Sequence, residues 1–438
     1  MNKKLHLVSL GCTKNLIDSE VMLGRLKDYT MTNEPQEADL IIVNTCGFIQ
    51  SAKEESLNTI FELHEIRKES SVMVMAGCLS ERYKEELQES MNEEVDIFTG
   101  VGDYDIIDQL VEEKRSQFSP KVFLATEKNI RVVTGSSYHA YIKLSEGCNQ
   151  QCSFCAIPHF KGKLNSRSIA SIQEELESLI SQGFYDFSFV SQDSSSYLRD
   201  QGINDGLEQL IDLVESMKGV LSARILYLYP STTTNELIEK IANSKKVHTY
   251  YDMPLQHITQ DMLKIMRRGK GSDKVQYLMN HMKAQKDPFI RSTFIVGHPG
   301  ETQEDFEALC NYVQEFEFDR ANVFGYSDEE NTKAFDMKEK IDQQEIDKRA
   351  QILGDIIKKI TLKKMENEIN SITHVVIDGP SDEHEYLLSA RKLLWAPDID
   401  GEIYINDSQL EMPVEFGKIY KAKITDIAGD KLLATILK

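Results

Sequence analysis

The stretch "EGCNQQCSFC" sets three thiols close together, at Cys148, Cys152 and Cys155. Each is a competent thiolate ligand for a soft metal, and tetrahedral structural sites want four ligands. Two chemistries fit. His159, four residues beyond Cys155, could complete a zinc site. Alternatively, the three thiolates could hold a four-iron cluster whose remaining iron stays open to a substrate or cofactor.

Three further cysteines are dispersed in sequence but equivalent in setting. Cys12, Cys46 and Cys78 lie in "SLGCTKN", "NTCGFIQ" and "AGCLSER", 34 and 32 residues apart, each directly after an apolar run: "LHLVSL", "ADLIIVNT" and "SVMVMAG". Continuous apolar runs alternating with amphipathic stretches such as "SEVMLGRLKDY" predict buried parallel strands joined by helices, a doubly wound sheet. All strand C-terminal ends of such a sheet share one edge, where ligands bind. The three thiols are therefore expected to converge, although any one of them could be a buried small hydrophobe. The seventh cysteine, Cys310, shares helical spacing with Phe306, Leu309 and Val313 and is read as core.

Composition bounds the context. The chain has 438 residues, 41% of them hydrophobic and 28% charged, enough for several domains with real cores. Its longest apolar runs span about ten residues, short of the roughly 20 that cross a bilayer, and the start "MNKKLHLVSLGC" has no secretory pattern, so a cytoplasmic protein without a membrane partner is expected. Thiols stay reduced there, which favours metal or redox chemistry over disulfides for seven cysteines. A formal charge of -21 argues against a nucleic acid as substrate and for a basic partner.

The predicted architecture is α/β. The doubly wound parallel sheet occupies residues 1–120. A linker around "RSQFSPKVFLATEKN" leads to six strand candidates over 134–365: "HAYIKLS", "DFSFVS", "ARILYLY", "HTYYDMP", "FIRSTFIVG" and "RANVFGYS". Six βα units predict a partial, open barrel in place of a closed eight-stranded one. "EGCNQQCSFC" would leave the C-terminal end of its first strand, the catalytic face of barrel enzymes. Short strands broken by turns over 372–438 predict a small antiparallel β-barrel. That barrel carries twelve Asp or Glu against seven Lys or Arg. With the turn "APDIDG", holding Asp398 and Asp400, and the run "SDEE" at Ser327 to Glu330, it reads as an acidic docking surface for a basic protein.

C-x3-C-x2-C after the first strand of a partial barrel resembles the radical S-adenosylmethionine (SAM) enzymes. The whole chain is similar to the methylthiotransferases among them, with an N-terminal domain holding three dispersed cysteines, a radical-SAM core and a C-terminal TRAM barrel. "SLGCTKNLIDSE", "YDMPLQHI", "MLKIMRRG", "IVGHPGET" and "YSDEENTKAF" resemble stretches of the branch that modifies ribosomal protein S-twelve. The tRNA-modifying branch usually carries a different residue pair between Cys12 and Asn15. The chain departs from the family at Lys161 and Asn165, where arginines are commoner, at Leu198, where glycine is usual, and after the proline of "YPSTTTNELI".

The resemblance implies that Cys148, Cys152 and Cys155 hold a 4Fe-4S cluster whose open iron is chelated by SAM. Reductive cleavage would then give a 5′-deoxyadenosyl radical. Cys12, Cys46 and Cys78 would hold an auxiliary 4Fe-4S cluster that carries the sulfur. A methylthio group would be added to the β-carbon of an aspartate in ribosomal protein S-twelve, with a second SAM as methyl donor and with an electron donor and a sulfur source as further partners. Phe154 would shield the first cluster. Gln192, Asp193 and Arg224 are expected to point into the barrel mouth as SAM contacts. His257 is read as structural, and no catalytic acid or base is assigned. The alternatives are a methylthiotransferase acting on a tRNA base and a non-catalytic iron-sulfur or zinc scaffold.

Overall fold

The structure, a computed structural model, describes residues 3–269 and 271–438. Met1 and Asn2, at the head of the first predicted domain, and Lys270, in the second, lie outside the described residues. The first unit is a parallel sheet of β1 (Lys3–Ser9), β2 (Tyr29–Met31), β3 (Leu40–Thr45), β4 (Val72–Gly77) and β5 (Ile97–Phe98), in the order β2-β1-β3-β4-β5. The wholly buried run of β3 explains its place in the middle. Leu40 and Ile42 join one core with Met22 and Leu23 of α1 (Thr13–Arg25), while Ile41 and Val43 join the opposite core with Ile60 and Leu63 of α2 (Gln50–Ile66). Helices thus cover both faces, and the strand order reverses between β1 and β3.

Six parallel strands follow, in two groups of three. His139–Lys143, Asp186–Val190 and Ser222–Ile225 form one group, and Tyr250–Asp252, Phe289–Val296 and Arg320–Gly325 the other. A bridge between Ala223 and Val247 carries the order across the two. The result is the open partial barrel, with the six predicted strands in chain order. Cys310 sits in its outer core. Leu198 adopts φ 66°, a left-handed conformation that glycine takes without penalty, which accounts for the glycine usual at that position.

The C-terminal unit is a closed barrel of Ile372–Pro380, Leu388–Lys392, Ile403–Ser408, Ile419–Ala428 and Lys431–Ile436. The expected antiparallel pairing holds except between Ile403–Ser408 and Lys431–Ile436, which run parallel. This barrel closes the lower end of the central one. Its Arg391 pairs with Asp186, the carbonyl of Pro397 accepts from the hydroxyl of Tyr141 at 2.6 Å, and Asp400 accepts from the hydroxyl of Tyr250 at 2.8 Å. Asp186 and Tyr250 are first residues of their strands, so the C-terminal unit faces the strand starts and the cysteine loop faces the strand ends. Inside the central barrel, Ala396 and Leu394 of the C-terminal unit share a buried cluster with Ile17 and Val21 of α1. No helix among the described residues is long and apolar enough to cross a membrane.

Candidate active site

Each cysteine of the first unit is held where its strand ends. Cys12 precedes α1 in extended backbone, Cys46 directly follows β3, and Cys78 opens the helix α3 (Cys78–Arg82). Gly11, at φ 88°, lies so close to Cys46 that a Cβ there would fall 2.9 Å from its Sγ. Any side chain would displace that sulfur. Asn15 knits the three loops together: its Nδ2 donates to the carbonyls of Leu10 and Thr45, both at 3.1 Å, and its Oδ1 lies 3.6 Å from the Sγ of Cys78.

The second triad is braced just as closely. The backbone N–H of Gln150 donates to the Sγ of Cys148 at 3.4 Å, and Nη1 of Arg268 donates to the Sγ of Cys152 at 3.5 Å. The hydroxyl of Tyr229 is 3.6 Å from the same sulfur. Ser153 anchors the loop through its N–H to the carbonyl of Met266 at 3.0 Å and its hydroxyl to His298 at 3.0 Å.

Both triads line one cavity of about 430 Å³, so the two domains present six thiols to a shared space. Burial raises the pKa values of four of them, to about 11 for Cys46 and about 12 for Cys78 and Cys148, and that of Cys155 rises as well. These thiols are neutral at pH 7, and a metal binding them would release protons. Among the described residues, no three His, Cys, Asp or Glu side chains converge closely enough to hold a single ion. A tetrahedral zinc would draw its sulfurs to roughly 3.8 Å apart, given Zn–S bonds near 2.3 Å. Three thiolates per site are the donor set of an iron-sulfur cluster, with each thiolate on its own iron. His159 lies on the outer side of the loop, exposed and away from this cavity.

Among the described residues, Lys14, Lys161, Arg268 and Arg291 line the cavity, and no carboxylate does. Behind its wall, Lys143 pairs with Asp18 at 2.5 Å and with Glu146 at 2.7 Å, and Lys161 lies 3.5 and 3.6 Å from the same two carboxylates. Two cations balance two anions there. Burial alone would raise the pKa of Glu146, but Lys143 and Lys161 outweigh it and hold the carboxyl at about 2. Asp18 comes from α1 and the other three from the central barrel, so the quartet also fastens the two domains.

Of the predicted cofactor residues, the shielding Phe154 and the SAM contact Gln192 line the cavity. Gln192 donates to Glu146 and leaves its buried Oε1 without a partner. Asp193 stands behind the lining, 2% exposed, accepting from Gln150 at 2.8 Å and from the hydroxyls of Ser195 and Ser196 at 2.9 and 2.6 Å. It braces the cysteine loop. Arg224 does not point into the mouth as expected. It is fully buried toward the strand starts, bonded to Asp186 at 2.5 Å, Ser188 at 2.8 Å and the carbonyl of Leu393 at 2.8 Å. Alternation along the strand turned it inward, and the charge of Asp186 drew it downward. His257 is structural, as read: its ring faces Glu301 at 3.2 Å and accepts from the N–H of Ile258 at 2.9 Å.

Two acidic features expected on the surface are internal ties. Glu329, 2% exposed, pairs with Lys53 and Arg82 of the first unit at 3.0 and 2.6 Å. Asp400, 1% exposed, accepts from Tyr250 and from the N–H of Ala396 at 2.8 Å. Of these stretches, Asp328, Glu330 and Asp398 remain exposed. Sequence reasoning missed Arg268, Tyr229 and Lys14 as cavity residues. Arg268 lay within the quoted "MLKIMRRG" and Lys14 within "SLGCTKN", so position in a motif was the available signal.

Three family models match in succession: the "Uncharacterized protein family UPF0004" over residues 4–100, the Radical SAM superfamily over 142–313 and the TRAM domain over 370–437. Among solved structures, the radical S-adenosylmethionine methyltransferase TsrM from Kitasatospora setae, with tryptophan and a SAM analogue bound, superposes with a TM-score of 0.54. At 14% identity, over 74% of this chain and 73% of that one, it shares the fold. The curated relatives are far nearer. The ribosomal protein uS12 methylthiotransferase RimO of Aliarcobacter butzleri (strain RM4018) is 65% identical over 438 residues, all of this chain and 98% of the relative. That of Sulfurovum sp. (strain NBC37-1) is 62% identical over 436 residues, 100% of this chain and 99% of the relative. With six cysteines on one cavity and relatives this similar along their whole length, the chain belongs to the RimO family of ribosomal protein uS12 methylthiotransferases.

Proposed function

We propose that this protein is a cytoplasmic radical-SAM transferase that adds a methylthio group to the β-carbon of an aspartate in ribosomal protein uS12. The observation that carries this reading is the pair of cysteine triads, one from each domain, lining a single cavity of about 430 Å³. Cys148, Cys152 and Cys155 hold one 4Fe-4S cluster, and Cys12, Cys46 and Cys78 hold another. When bound, the clusters and SAM supply the electron, the hydrogen-abstracting radical, the sulfur and the methyl group. An external electron donor and sulfur source complete the partners.

The chain's own residues prepare that chemistry. Arg268 and Tyr229 direct hydrogen bonds at Cys152, and Asn15 fixes the loops of the other triad. Among the described residues Oε1 of Gln192 has no partner, and it would accept from the amino group of SAM. Phe154, packed edge-on against His298, keeps water from the barrel triad. The Asp18–Lys143–Glu146–Lys161 quartet keeps the two triads facing each other. The test is anaerobic reconstitution followed by mass spectrometry of purified uS12 and of bulk tRNA offered together. Methylthiolated uS12 supports the assignment, and modified tRNA with unmodified uS12 overturns it.

A further inference from the structure

Of the four cations on the cavity wall, three are committed. Lys161 faces Asp18 and Glu146, Arg268 donates to Cys152 and to the carbonyl of Pro254, and Arg291 faces Asp252 at 3.2 Å and Asp400 at 3.7 Å. Lys14 is the exception. Among the described residues its ammonium makes no hydrogen bond and no ion pair, and it sits over the ring of Tyr227, whose centre lies 3.6 Å from Nζ.

This placement runs against local preference twice. Lys14 occupies the first turn of α1, where the helix dipole disfavours a cation, and no acidic residue shares that turn. Tyr227 is held at φ 63°, a left-handed backbone that bulky residues rarely adopt. The N–H of Tyr227 donates to Asp252 at 3.1 Å, and its carbonyl accepts from the N–H of Ser194 at 2.9 Å, so the surrounding strands impose the conformation. A strained aromatic thus seats a cation that the helix would rather not carry. Such conflicts collect where function requires them.

We propose that Lys14 is a positioning and specificity residue that pairs with the carboxylate of the substrate aspartate, fixing its β-carbon between the two cysteine triads. This rests on the reading of uS12 as substrate. A methylthio group replacing hydrogen on the β-carbon leaves the carboxylate intact, so one countercharge serves from substrate to product. An ammonium donates to a carboxylate with charge assistance but meets a side-chain amide as a neutral partner. Lys14 therefore selects aspartate over asparagine. The carboxylate of SAM is the other possible source of the anion, and the test separates the two.

Binding of full-length uS12 to the cluster-loaded, full-length enzyme is measured at low salt, with either aspartate or asparagine at the modified position, alongside the affinity for SAM. The wild type is expected to prefer the aspartate form roughly tenfold, the size of one charge-assisted hydrogen bond. Lys14→Met should bring that ratio to about one, and Lys14→Arg should retain most of it. Being a ratio taken on one preparation, it is insensitive to partial loss of folded or cluster-loaded protein. If Lys14→Met discriminates as well as the wild type, the proposal is overturned, even though uS12 remains the substrate. Weakened SAM binding with an unchanged aspartate preference overturns it in favour of SAM. If the wild type neither binds nor methylthiolates uS12, the functional reading falls and this proposal with it.

Discussion

The two ends of the central barrel handle buried charge in opposite ways. At the lower end, against the C-terminal unit, the buried carboxylate of Asp186 takes both Arg224 and Arg391, and each arginine also donates to a backbone carbonyl. At the upper end, the cavity wall carries, among the described residues, four cations, no carboxylate and one ammonium without an ionic partner. A network of paired charges fixes a domain interface, because removing one member strands the others in low dielectric. An unsaturated wall leaves charge for what enters. The same residue types therefore build scaffold at one end and site at the other.

The largest effect expected from breaking this contrast is at the upper end. Replacing Cys148, Cys152 and Cys155 together by Ala should abolish SAM cleavage and lower iron from about eight to about four per chain, since each triad suits a four-iron cluster. Replacing Cys12, Cys46 and Cys78 should lower iron equally, retain formation of 5′-deoxyadenosine and eliminate methylthiolated product. Iron analysis and chromatography of the cleavage product check both. Full iron content in either triple variant would sink the corresponding assignment.

Next in size is the lower end. Asp186→Asn leaves two buried guanidinium groups facing a neutral amide, and loss of one partner from a buried pair costs about 3 to 5 kcal/mol. Lys14→Met at the upper end removes a cation whose contact among the described residues is the Tyr227 ring, so its stability change should stay within about 1 kcal/mol. Chemical denaturation of both variants measures the difference directly. Equal destabilisation would erase the distinction between the two ends.

The acid limb sharpens the same point. Burial alone would raise the pKa of Asp186, but Arg224 and Arg391 outweigh it and bring the carboxyl well below its ordinary range. A carboxylate held low contributes stability that is fully present above its unfolded value of about 4 and is lost as pH falls toward the folded one. The unfolding free energy of the wild type should therefore decline more steeply below pH 4 than that of Asp186→Asn. Parallel curves would deny Asp186 that role.

The smallest effect separates two neighbouring acids. Asp398 is exposed, so Asp398→Lys should change stability by less than about 0.5 kcal/mol and weaken uS12 binding only modestly, more at low salt than at high. Asp400 is buried against Tyr250 and Arg291, and Asp400→Asn should cost on the order of 1 to 3 kcal/mol. Thermal melts distinguish them, and matching melting temperatures would refute the assignment of Asp400 as an interface tie.

By itself, the sequence determined what repeats locally. Apolar runs one βα period apart specified the parallel sheet, and a cysteine after each run was bound for one edge, because every C-terminal end of a parallel sheet lies on that edge. The six strand runs specified a partial barrel, and the helical spacing around Cys310 specified core. Side-chain direction and long-range pairing were decided only in three dimensions. Arg224 sits on the expected strand but points down, since the position of Asp186, 38 residues away, settles which end wins. "SDEE" and "APDIDG" read as solvated acids because their partners, Lys53 and Arg82 for the one and Tyr250 and Arg291 for the other, are distant in the chain. That Lys14 has no ionic partner among the described residues was equally hidden: lacking a partner is a property of everything folded around a residue, and a sequence window holds only its neighbours.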